Sequence, residues 1–553
     1  NNQNINASID EYIEKAHSGD PFYQHKYAEI LSTGLFGVSI DEAKSILFDI
    51  FSARGGDSGA NENLGYRYKD GIGVPKTCLK AVDYYQAAAE STLKRGRDGK
   101  ELPSIERFRL STLELEGRRN QAEVDKEFVQ YYIQLANSGN IDAMRILGTF
   151  LRYGFRGMDQ NPKLAREYFK KAMEAGDDIA PGILGHMHLL GIGGDPDHER
   201  SLELFKMFED KPDSLAGLCH MHLYGLGGLS KNRELAKSLC LKAVDKSSQL
   251  DQARSYALRT LGDISAEDDL FDDNLFPLFK KVDKSSALKY YLKASTSGML
   301  GDMEALYKAG MMYKYGEGIV RDCISAVSAF STVASQGVSA DNIKQAQDFY
   351  FKREYNKAAQ YYALAAESGS ELSQSNAAHL LDKGYCNGLP KIDCEERALH
   401  YFRRASKQDN GYSFIKIGDA HYYGKAGLEK DPNTAMSYYM LAGDRNLPQA
   451  LFNVGWMYAA GVGAKVDFTL AKRYYQQAAE INSEAKIPVK LAEIDMYRRI
   501  YLQRLVSYVG SLKEDGHVYR SVIECFKSWG SRLIVSLIFA ICIHKMLKRS
   551  LRR

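Results

Sequence analysis

The sequence has few of the residues that build compact catalytic or metal sites. Its 553 residues include 8 cysteines and 2 tryptophans, and no Cys-x-x-C pair or zinc-type Cys/His spacing occurs. No Ser-His-Asp order, nucleophile elbow or phosphate-binding loop stands out either. The net charge is +3, and the basic residues are scattered rather than gathered into a nucleic-acid footprint. We therefore expect no enzyme activity, no cofactor, no metal and no nucleic-acid partner.

Long hydrophobic runs are also scarce, and the longest lies near the C-terminus. The run Leu533–Ile543 would span about 17 Å as a helix, short of the roughly 30 Å hydrocarbon core. Counting from Trp529 to Leu547, with Arg532 and Lys545 reaching opposite interfaces, gives about 28 Å, which a thin bilayer accepts. We predict a membrane helix over 531–548, with an interfacial or buried helix as the alternative. The expected anchor residues are Leu533, Ile534, Val535, Leu537, Ile538, Phe539, Ile541 and Ile543.

A repeated pair of patterns occupies most of the remaining chain. The first half reads LGYRYKDGIGV from Leu64 and VGWMYAAGVGA from Val454, and the second reads Ala-x-x-aromatic-aromatic-x-x-Ala. Clean second halves begin at Ala398, Ala435 and Ala471, which are 37 and 36 residues apart. The first half carries a column of small residues: Gly65, Gly148, Gly185, Cys219, Gly310, Gly418 and Gly455.

Both halves have helical spacing, and a Gly-x-Gly ends the first one. Each second half presents alternately small and large side chains on one face, so we expect the small column to meet the aromatic residues. Such a unit cannot bury its apolar face alone, and copies must stack. The predicted fold is all-α: an α/α solenoid superhelix of about twelve helix-turn-helix repeats, followed by an amphipathic helix and the short membrane helix.

Two copies contain a His-Met-His triplet, with His186 and His188 in one and His220 and His222 in the other. Residues i and i+2 of a helix lie about 200° apart, so one triplet cannot chelate a metal with both imidazoles. We interpret these residues as tolerated, partly exposed members of the repeat. A site that bridges His186 and His220 of stacked helices remains open.

Interruptions of the pattern suggest subdivision. We predict an N-terminal cluster over 1–245 with an insertion at about 91–125, middle repeats over 246–337, and a C-terminal cluster over 338–490. An amphipathic segment over 491–530, the membrane helix and a basic tail over 549–553 follow. Further insertions are expected at 246–286 and 338–355. The first contains the acidic stretch EDDLFDDNLFPLF from Glu267, either a partner-docking loop or a disordered or packed insertion.

Covalent features are few. Asn6 is the acceptor of the only glycosylation sequon. Cys386 and Cys394 flank an inter-helix loop and form the best disulfide candidate in an oxidising lumen. Cys78 and Cys323 each follow a Gly-x-Gly turn in distant repeats, and we expect them to be buried rather than bonded to one another.

The repeat, Ala/Leu-Gly-x-x-Tyr-x-x-Gly-x-Gly-Val followed by Ala-x-x-Tyr-Tyr-x-x-Ala-Ala, resembles the Sel-one-like repeat, an α/α solenoid related to tetratricopeptide arrays. Longer segments resemble the luminal adaptor of HRD-type ubiquitin ligases in endoplasmic reticulum (ER)-associated degradation. They include LGYRYKDGIGVPKTCLKAV from Leu64 and YNKAAQYYALAAESGSELSQSNAAHLLD from Tyr355. The resemblance covers most of residues 20–495.

The resemblance implies a non-catalytic, single-pass type I ER membrane protein with its repeats in the lumen. It implies as partners a membrane-embedded RING ubiquitin ligase, an ER lectin, misfolded glycoprotein clients and derlin-type membrane proteins, and it makes a homodimer plausible. The ligase contact would lie between the last repeats and the membrane helix. On that basis the contact residues are Tyr474, Tyr475, Tyr497, Ile500, Leu502 and Leu505. The alternative is a soluble or secreted repeat scaffold that regulates an unrelated enzyme.

Overall fold

Helices joined by turns and loops make up the described part of the chain, and this part contains no β-strand. The computed structural model describes residues 9–34, 38–97, 108–115, 121–249, 251–266, 284–298, 301–386 and 389–511. The helices are α1 Ile9–His17, α2 Pro21–Thr33, α3 Glu42–Arg54, α4 Ser58–Asp70, α5 Cys78–Arg97, α6 Leu110–Leu115, α7 Gln121–Asn137, α8 Ile141–Tyr153, α9 Pro162–Glu174, α10 Ala180–Leu189, α11 His198–Met207, α12 Pro212–Tyr224, α13 Arg233–Lys246, α14 Gln252–Ala266, α15 Lys284–Ser295, α16 Met303–Tyr315, α17 Cys323–Ala334, α18 Val338–Phe351, α19 Tyr355–Glu367, α20 Glu371–Asp382, α21 Lys391–Lys407, α22 Gly411–Tyr423, α23 Pro432–Gly443, α24 Pro448–Ala460, α25 Phe468–Ile481 and α26 Lys486–Ser511.

The two helices of a repeat interlock where a small residue in the first faces an aromatic ring in the second, as the sequence predicts. A Cβ atom on Gly65 would lie 2.7 Å from the ring of Tyr85, and one on Gly455 would lie 2.8 Å from Tyr475. The same contact joins Gly148 to Phe169, Gly185 to Phe205, Gly262 to Tyr291, Gly310 to Phe330 and Gly418 to Tyr439. These rings are almost fully buried. Because the helices approach this closely, a larger residue in the column would force them apart.

In the repeat formed by α12 and α13, a disulfide joins the two helices at the place where other repeats have the glycine–ring contact. Cys219 occupies the glycine position of α12, and Cys240 follows Ala236 by four residues, as Tyr85 follows Ala81. The two cysteines form a disulfide and are fully buried. A bond therefore replaces the glycine–ring contact in this repeat, whereas the sequence suggested only a small residue at a close crossing.

Caps fix where the helices begin and end. The side chain of Asp431 accepts hydrogen bonds from the backbone N–H groups of Asn433 and Thr434, which have no partner within α23. Gly461 ends α24 at φ 69°, and its N–H donates to the carbonyl of Met457. A positive φ suits glycine because it has no Cβ atom. The Gly-x-Gly signal is thus a helix stop, as predicted.

The repeats do not stack only in chain order. Helix α5 packs side by side with α17, and their shared core contains Ala88, Ala89, Val327 and Phe330. Cys78 and Cys323, at the starts of these helices, form a disulfide. The expectation that they would not bond to one another is wrong, because packing brings together helices whose cysteines lie 245 residues apart.

Two predicted insertions contain repeat helices. Residues 338–351 form α18, which packs on α19 as a first helix packs on its second. Residues 252–266 form α14, whose Gly262 contacts Tyr291 of α15 in the usual way. The prediction that 338–355 interrupts the repeats is therefore wrong, and the predicted 246–286 insertion contains one helix of a repeat, α14, and the start of the other, α15. The acidic stretch lies outside the described residues.

The contacts divide the chain into two compact units, Asn1–Ser413 and Phe414–Arg553. The predicted boundaries at 245 and 337 fall inside the first unit. In the second unit, α22 to α25 form the last two repeats, and α26 packs on the end of the last one.

Candidate partner-binding surface

Helix α26 follows the last repeat and is apolar on two faces. The backbone N–H of Asn482 donates to the carbonyl of Ala478 and closes α25, and its side chain accepts from the N–H of Glu484 and caps a single 3₁₀ turn, Ser483–Ala485, which leads into the helix. Successive residues of a helix are rotated by about 100°, so residues three and four apart share a face. Helix α26 has two rows of apolar residues with this spacing, and the two rows lie on opposite faces of the helix.

One face covers the last repeat. Val489, Ala492, Met496 and Ile500 pack against a core that includes Tyr475 of α25. Val489 and Met496 are almost fully buried. Within the described residues no further repeat stacks on the last one, and α26 supplies the apolar surface that a neighbouring repeat would otherwise provide.

The opposite face is exposed to solvent. Ile487, Leu491 and Ile494 are 72%, 64% and 65% exposed, and Tyr497 and Tyr501 continue the row one and two turns later. We call these five residues the α26 stripe. Isolated apolar residues are common on protein surfaces, but a continuous row on one helix face marks a surface that binds something.

A groove of about 420 Å³ runs beside the stripe, between α26 and the last repeat. Its walls include Phe452, Trp456, Leu491 and Ala492, with Asp495 and Arg499 at one end. Because Leu491 belongs to both features, the stripe and the groove form one surface. A partner helix could lie along the stripe and insert a large apolar side chain beside Trp456.

The charges around the stripe are mostly positive. Lys490 and Arg498 lie on the same side of the helix as the stripe. Arg499 donates a hydrogen bond of 2.7 Å to Asp495, which lowers the pKa of that carboxyl. Arg498 also pairs with Asp495 at 2.8 Å. The surface therefore favours a partner with apolar anchors and acidic groups at its edge.

The structure separates the residues predicted to contact the ligase. Tyr497 lies on the exposed stripe, whereas Ile500 faces the last repeat. Tyr474 is half-buried and stacks on Tyr458. Tyr475 is buried against Gly455, and burial raises its pKa to about 12, so it belongs to the core.

Several other predicted residues lie outside the described structure. They are the side chains of Leu502 and Leu505, the sequon residue Asn6, and the anchor residues of 531–548. Among the described helices, none combines the length and apolar composition that a bilayer crossing requires. The pair proposed as a disulfide, Cys386 and Cys394, is joined by one, which links the loop after α20 to the first turn of α21.

The histidine triplets belong to the packing of α10 and α12. His186 is buried, contrary to the expectation of partial exposure, and its Nε2 lies 2.9 Å from the backbone oxygen of Asp213. The ring of His220 packs against Tyr224. Within the described ranges, no group of three or more His, Cys, Asp or Glu side chains is arranged to hold a metal.

Only Tyr497 of the stripe is among the contact residues predicted from the sequence. Ile487, Leu491 and Ile494 follow the i, i+4, i+7 spacing that marks a helix face, and Trp456 lies in the first half of the last repeat. This spacing can be read from the sequence. Because the same helix has a second apolar row, however, the sequence does not indicate which of the two faces is buried.

Comparison with known proteins agrees with this architecture. The Sel1 repeat family model matches residues 58–92, 141–177, 183–210, 212–248, 276–299, 304–328, 348–370, 372–410, 415–447 and 448–483. The chain is similar to "ERAD-associated E3 ubiquitin-protein ligase component HRD3B" of Arabidopsis thaliana, with 29% identity over 94% of this chain and 77% of the relative. It is also similar to "Protein sel-1 homolog 2" of Homo sapiens, with 32% identity over 89% of this chain and 69% of the relative.

A fungal relative is also named as an HRD3 component of an ERAD-associated E3 ubiquitin-protein ligase. The component HRD3 of Candida glabrata is 25% identical over 83% of this chain and 61% of its own length. The family model covers more than half of the chain, and its matches fall on the helix pairs described above. This chain is a member of the Sel1 repeat family and resembles its HRD3 branch.

Proposed function

We propose that this protein is a non-catalytic adaptor of an HRD-type ubiquitin ligase complex in ER-associated degradation. Its repeats would recruit misfolded luminal proteins and a glycan-binding lectin, and its C-terminal region would bind and stabilise the ligase. The names of the plant and fungal relatives support the pathway. The repeated helix pairs support a scaffold, because stacked repeats form extended binding surfaces.

The disulfides support a luminal position for the repeats. Six cysteines form three disulfides within the described residues, and each disulfide lies inside the repeat region. Disulfides persist in oxidising compartments such as the ER lumen and are rare in the cytosol. This argument is independent of the similarity to named proteins.

The α26 stripe is the observation that carries the ligase contact. It is exposed, it lies at the end of the repeat array, and it precedes the segment for which we predict the membrane helix. A membrane-embedded partner offers apolar helices near the bilayer surface, and such helices fit an apolar stripe beside a groove. Tyr497 belongs to this contact, and Tyr475 does not.

The contact can be tested with a double substitution, Leu491→Asp with Ile494→Asp. Both side chains are mostly exposed, so the fold should be retained, while two charges in the interface should weaken binding by about 30-fold or more. The full chain is purified from its native membranes in mild detergent, and the recovery of a multi-spanning RING ligase is measured. We expect recovery with the wild type and loss with the double variant.

The control is Leu441→Asp, which makes the same kind of apolar-to-acidic substitution at a half-exposed leucine of α23, away from the stripe. It should leave ligase recovery unchanged. Equal recovery with the stripe variant would refute the contact, and absence of any ligase with the wild type would refute the adaptor role. Point variants are preferable to truncation before α26, because α26 covers the core of the last repeat.

The membrane anchor and the remaining partners belong to the same proposal. If residues 531–548 span the bilayer, the intact chain should stay in the membrane pellet after carbonate extraction. Release into the soluble fraction would favour the soluble scaffold. A lectin and derlin-type proteins should co-purify with the ligase, and a homodimer would appear as co-purification of two differently tagged copies.

A further inference from the structure

An exposed apolar patch surrounds the disulfide that joins α5 to α17. Leu79 and Ile324, which directly follow the two cysteines, are 56% and 78% exposed. Val320, in the loop before α17, is 84% exposed. We call Leu79, Val320 and Ile324 the disulfide patch. It exists only because α5 and α17, distant in sequence, pack side by side.

The repeat fold does not require apolar residues at these positions. Leu79 and Ile324 each lie two residues before the first alanine of their second helix, Ala81 and Ala326. Six other repeats have a polar residue at that position: Lys163, Glu199, Glu234, Asn356, Asn433 and Thr469. The two repeats that depart from this pattern are the two that the disulfide joins. Their apolar residues therefore serve a local contact rather than the repeat itself.

Two cations flank the patch at equivalent positions. Lys76 and Arg321 each lie two residues before a cysteine of the disulfide, and both are exposed. Among the residues that the structure describes, neither has an ion-pair partner. The nearby carboxylates of Asp83 and Glu317 are paired with lysines. The patch therefore suits an occupant with apolar and acidic residues close together.

The chain contains such a segment next to the patch. The stretch EDDLFDDNLFPLF at 267–279 has five carboxylates and six Leu or Phe residues. The described structure resumes at Lys284, the first residue of α15. The backbone of Lys284 lies 2.5 Å from where a Cβ atom on Gly318 would be, and its Nζ lies 3.5 Å from Glu317. The segment thus rejoins the fold two residues away from Val320.

We propose that residues 267–279 bind the disulfide patch of the same chain. Their leucine and phenylalanine side chains cover Leu79, Val320 and Ile324, and their carboxylates face Lys76 and Arg321. Attachment within one chain gives the segment an effective concentration on the order of millimolar, so even modest affinity keeps the patch occupied. This inference does not depend on the proposed adaptor function.

Photo-crosslinking in the full chain tests the contact. A benzophenone amino acid replaces Phe276, the protein is irradiated, and the crosslinked peptides are identified by mass spectrometry. We expect crosslinks within one chain to peptides containing Leu79 or residues 319–324. The double variant Val320→Lys with Ile324→Asn should reduce their yield at least fivefold. Its new residues occur at the same positions of other repeats, in Lys465 and Asn433, so the fold should be retained.

The control is Leu241→Asn, which removes an exposed leucine from the outer face of α13. Its crosslink yield should equal that of the wild type. Lys76→Glu with Arg321→Glu should also lower the yield, because the carboxylates would then meet like charge. Crosslinks to other surfaces, crosslinks between two chains, or a yield unaffected by the patch variants would overturn the proposal.

Discussion

A buried ion network holds the first unit together, and Glu367→Gln should destabilise it strongly. Glu367, at the end of α19, accepts a hydrogen bond of 2.7 Å from Arg404 of α21 and one of 3.3 Å from Arg67 of α4. All three side chains are at most 7% exposed. Burial opposes ionisation of Glu367, but Arg404 and Arg67 outweigh it and hold its pKa below the usual value.

Removing the negative charge leaves the buried guanidinium of Arg67 without its ion-pair partner, and it leaves Arg404 with only its longer, 3.8 Å pair to Glu42. Loss of one partner of a buried pair costs about 3–5 kcal/mol, because the remaining charge keeps its desolvation penalty. Glutamine retains the size of the side chain, so the loss is electrostatic rather than steric. The triple variant Arg67→Met, Glu367→Leu and Arg404→Met removes the three buried charges together and should recover most of that loss, because the remaining partner Glu42 is partly exposed to water.

Urea unfolding of the full chain measures the differences in unfolding free energy between these variants. Hydrogen exchange of the α4 and α19 amides reports on the stability of the network itself. The control is Glu354→Gln, which removes a half-exposed glutamate beside the same helix and should cost under about 0.5 kcal/mol. If Glu367→Gln also falls within about 0.5 kcal/mol of the wild type, the network does not carry the stability we assign to it. If the triple variant is as unstable as Glu367→Gln, the loss arises from packing.

Three further predictions concern pH and redox state. Burial raises the pKa of Glu62 to about 8, so the folded state keeps this proton after the unfolded chain has lost it, and the unfolding free energy should fall as pH rises from about 4.5 to 8. Glu62→Gln should add roughly 2–3 kcal/mol at pH 7 and remove this fall, and an unchanged pH profile would contradict the reasoning. Burial lowers the pKa of His186 to about 3, so the unfolding free energy should fall as pH drops below about 6.5, and His186→Gln should flatten that slope. Reduction of Cys219–Cys240 should cost about 3 kcal/mol, while Cys219→Gly with Cys240→Tyr should restore the glycine–ring contact and make that repeat insensitive to reductant. Equal reductant sensitivity of its local hydrogen exchange would refute the equivalence of the two contacts.

The sequence predicts the interior of a repeat because both partners of the contact lie close in the chain. Gly65 and Tyr85, or Gly455 and Tyr475, recur at nearly constant separation, so periodicity alone indicates which faces meet. The overlooked repeat at Gly262 had the same Leu-Gly signal. The sequence does not indicate this repeat because residues 267–283 separate its two helices and lengthen its period.

Contacts between distant helices are not encoded in the repeat period. Nothing local distinguishes Cys78 and Cys323 from other residues that follow a Gly-x-Gly turn, and their bond depends on the packing of α5 on α17. The binding surface was predictable only in part. Tyr497 and Ile500 belong to the same helix, but its two apolar phases leave the buried face undecided until the last repeat is in place.

The pairing of α5 with α17 also affects biosynthesis. The face of α5 that carries Ala88 and Ala89 leaves the ribosome long before its partner, since 245 residues separate the bonded cysteines. At about 5–20 residues per second, that face and the thiol of Cys78 stay without their native partner for roughly 10 to 50 s. During that interval the nascent chain presents an apolar helix face and a free thiol, so it should itself engage chaperones and oxidoreductases before it can fold.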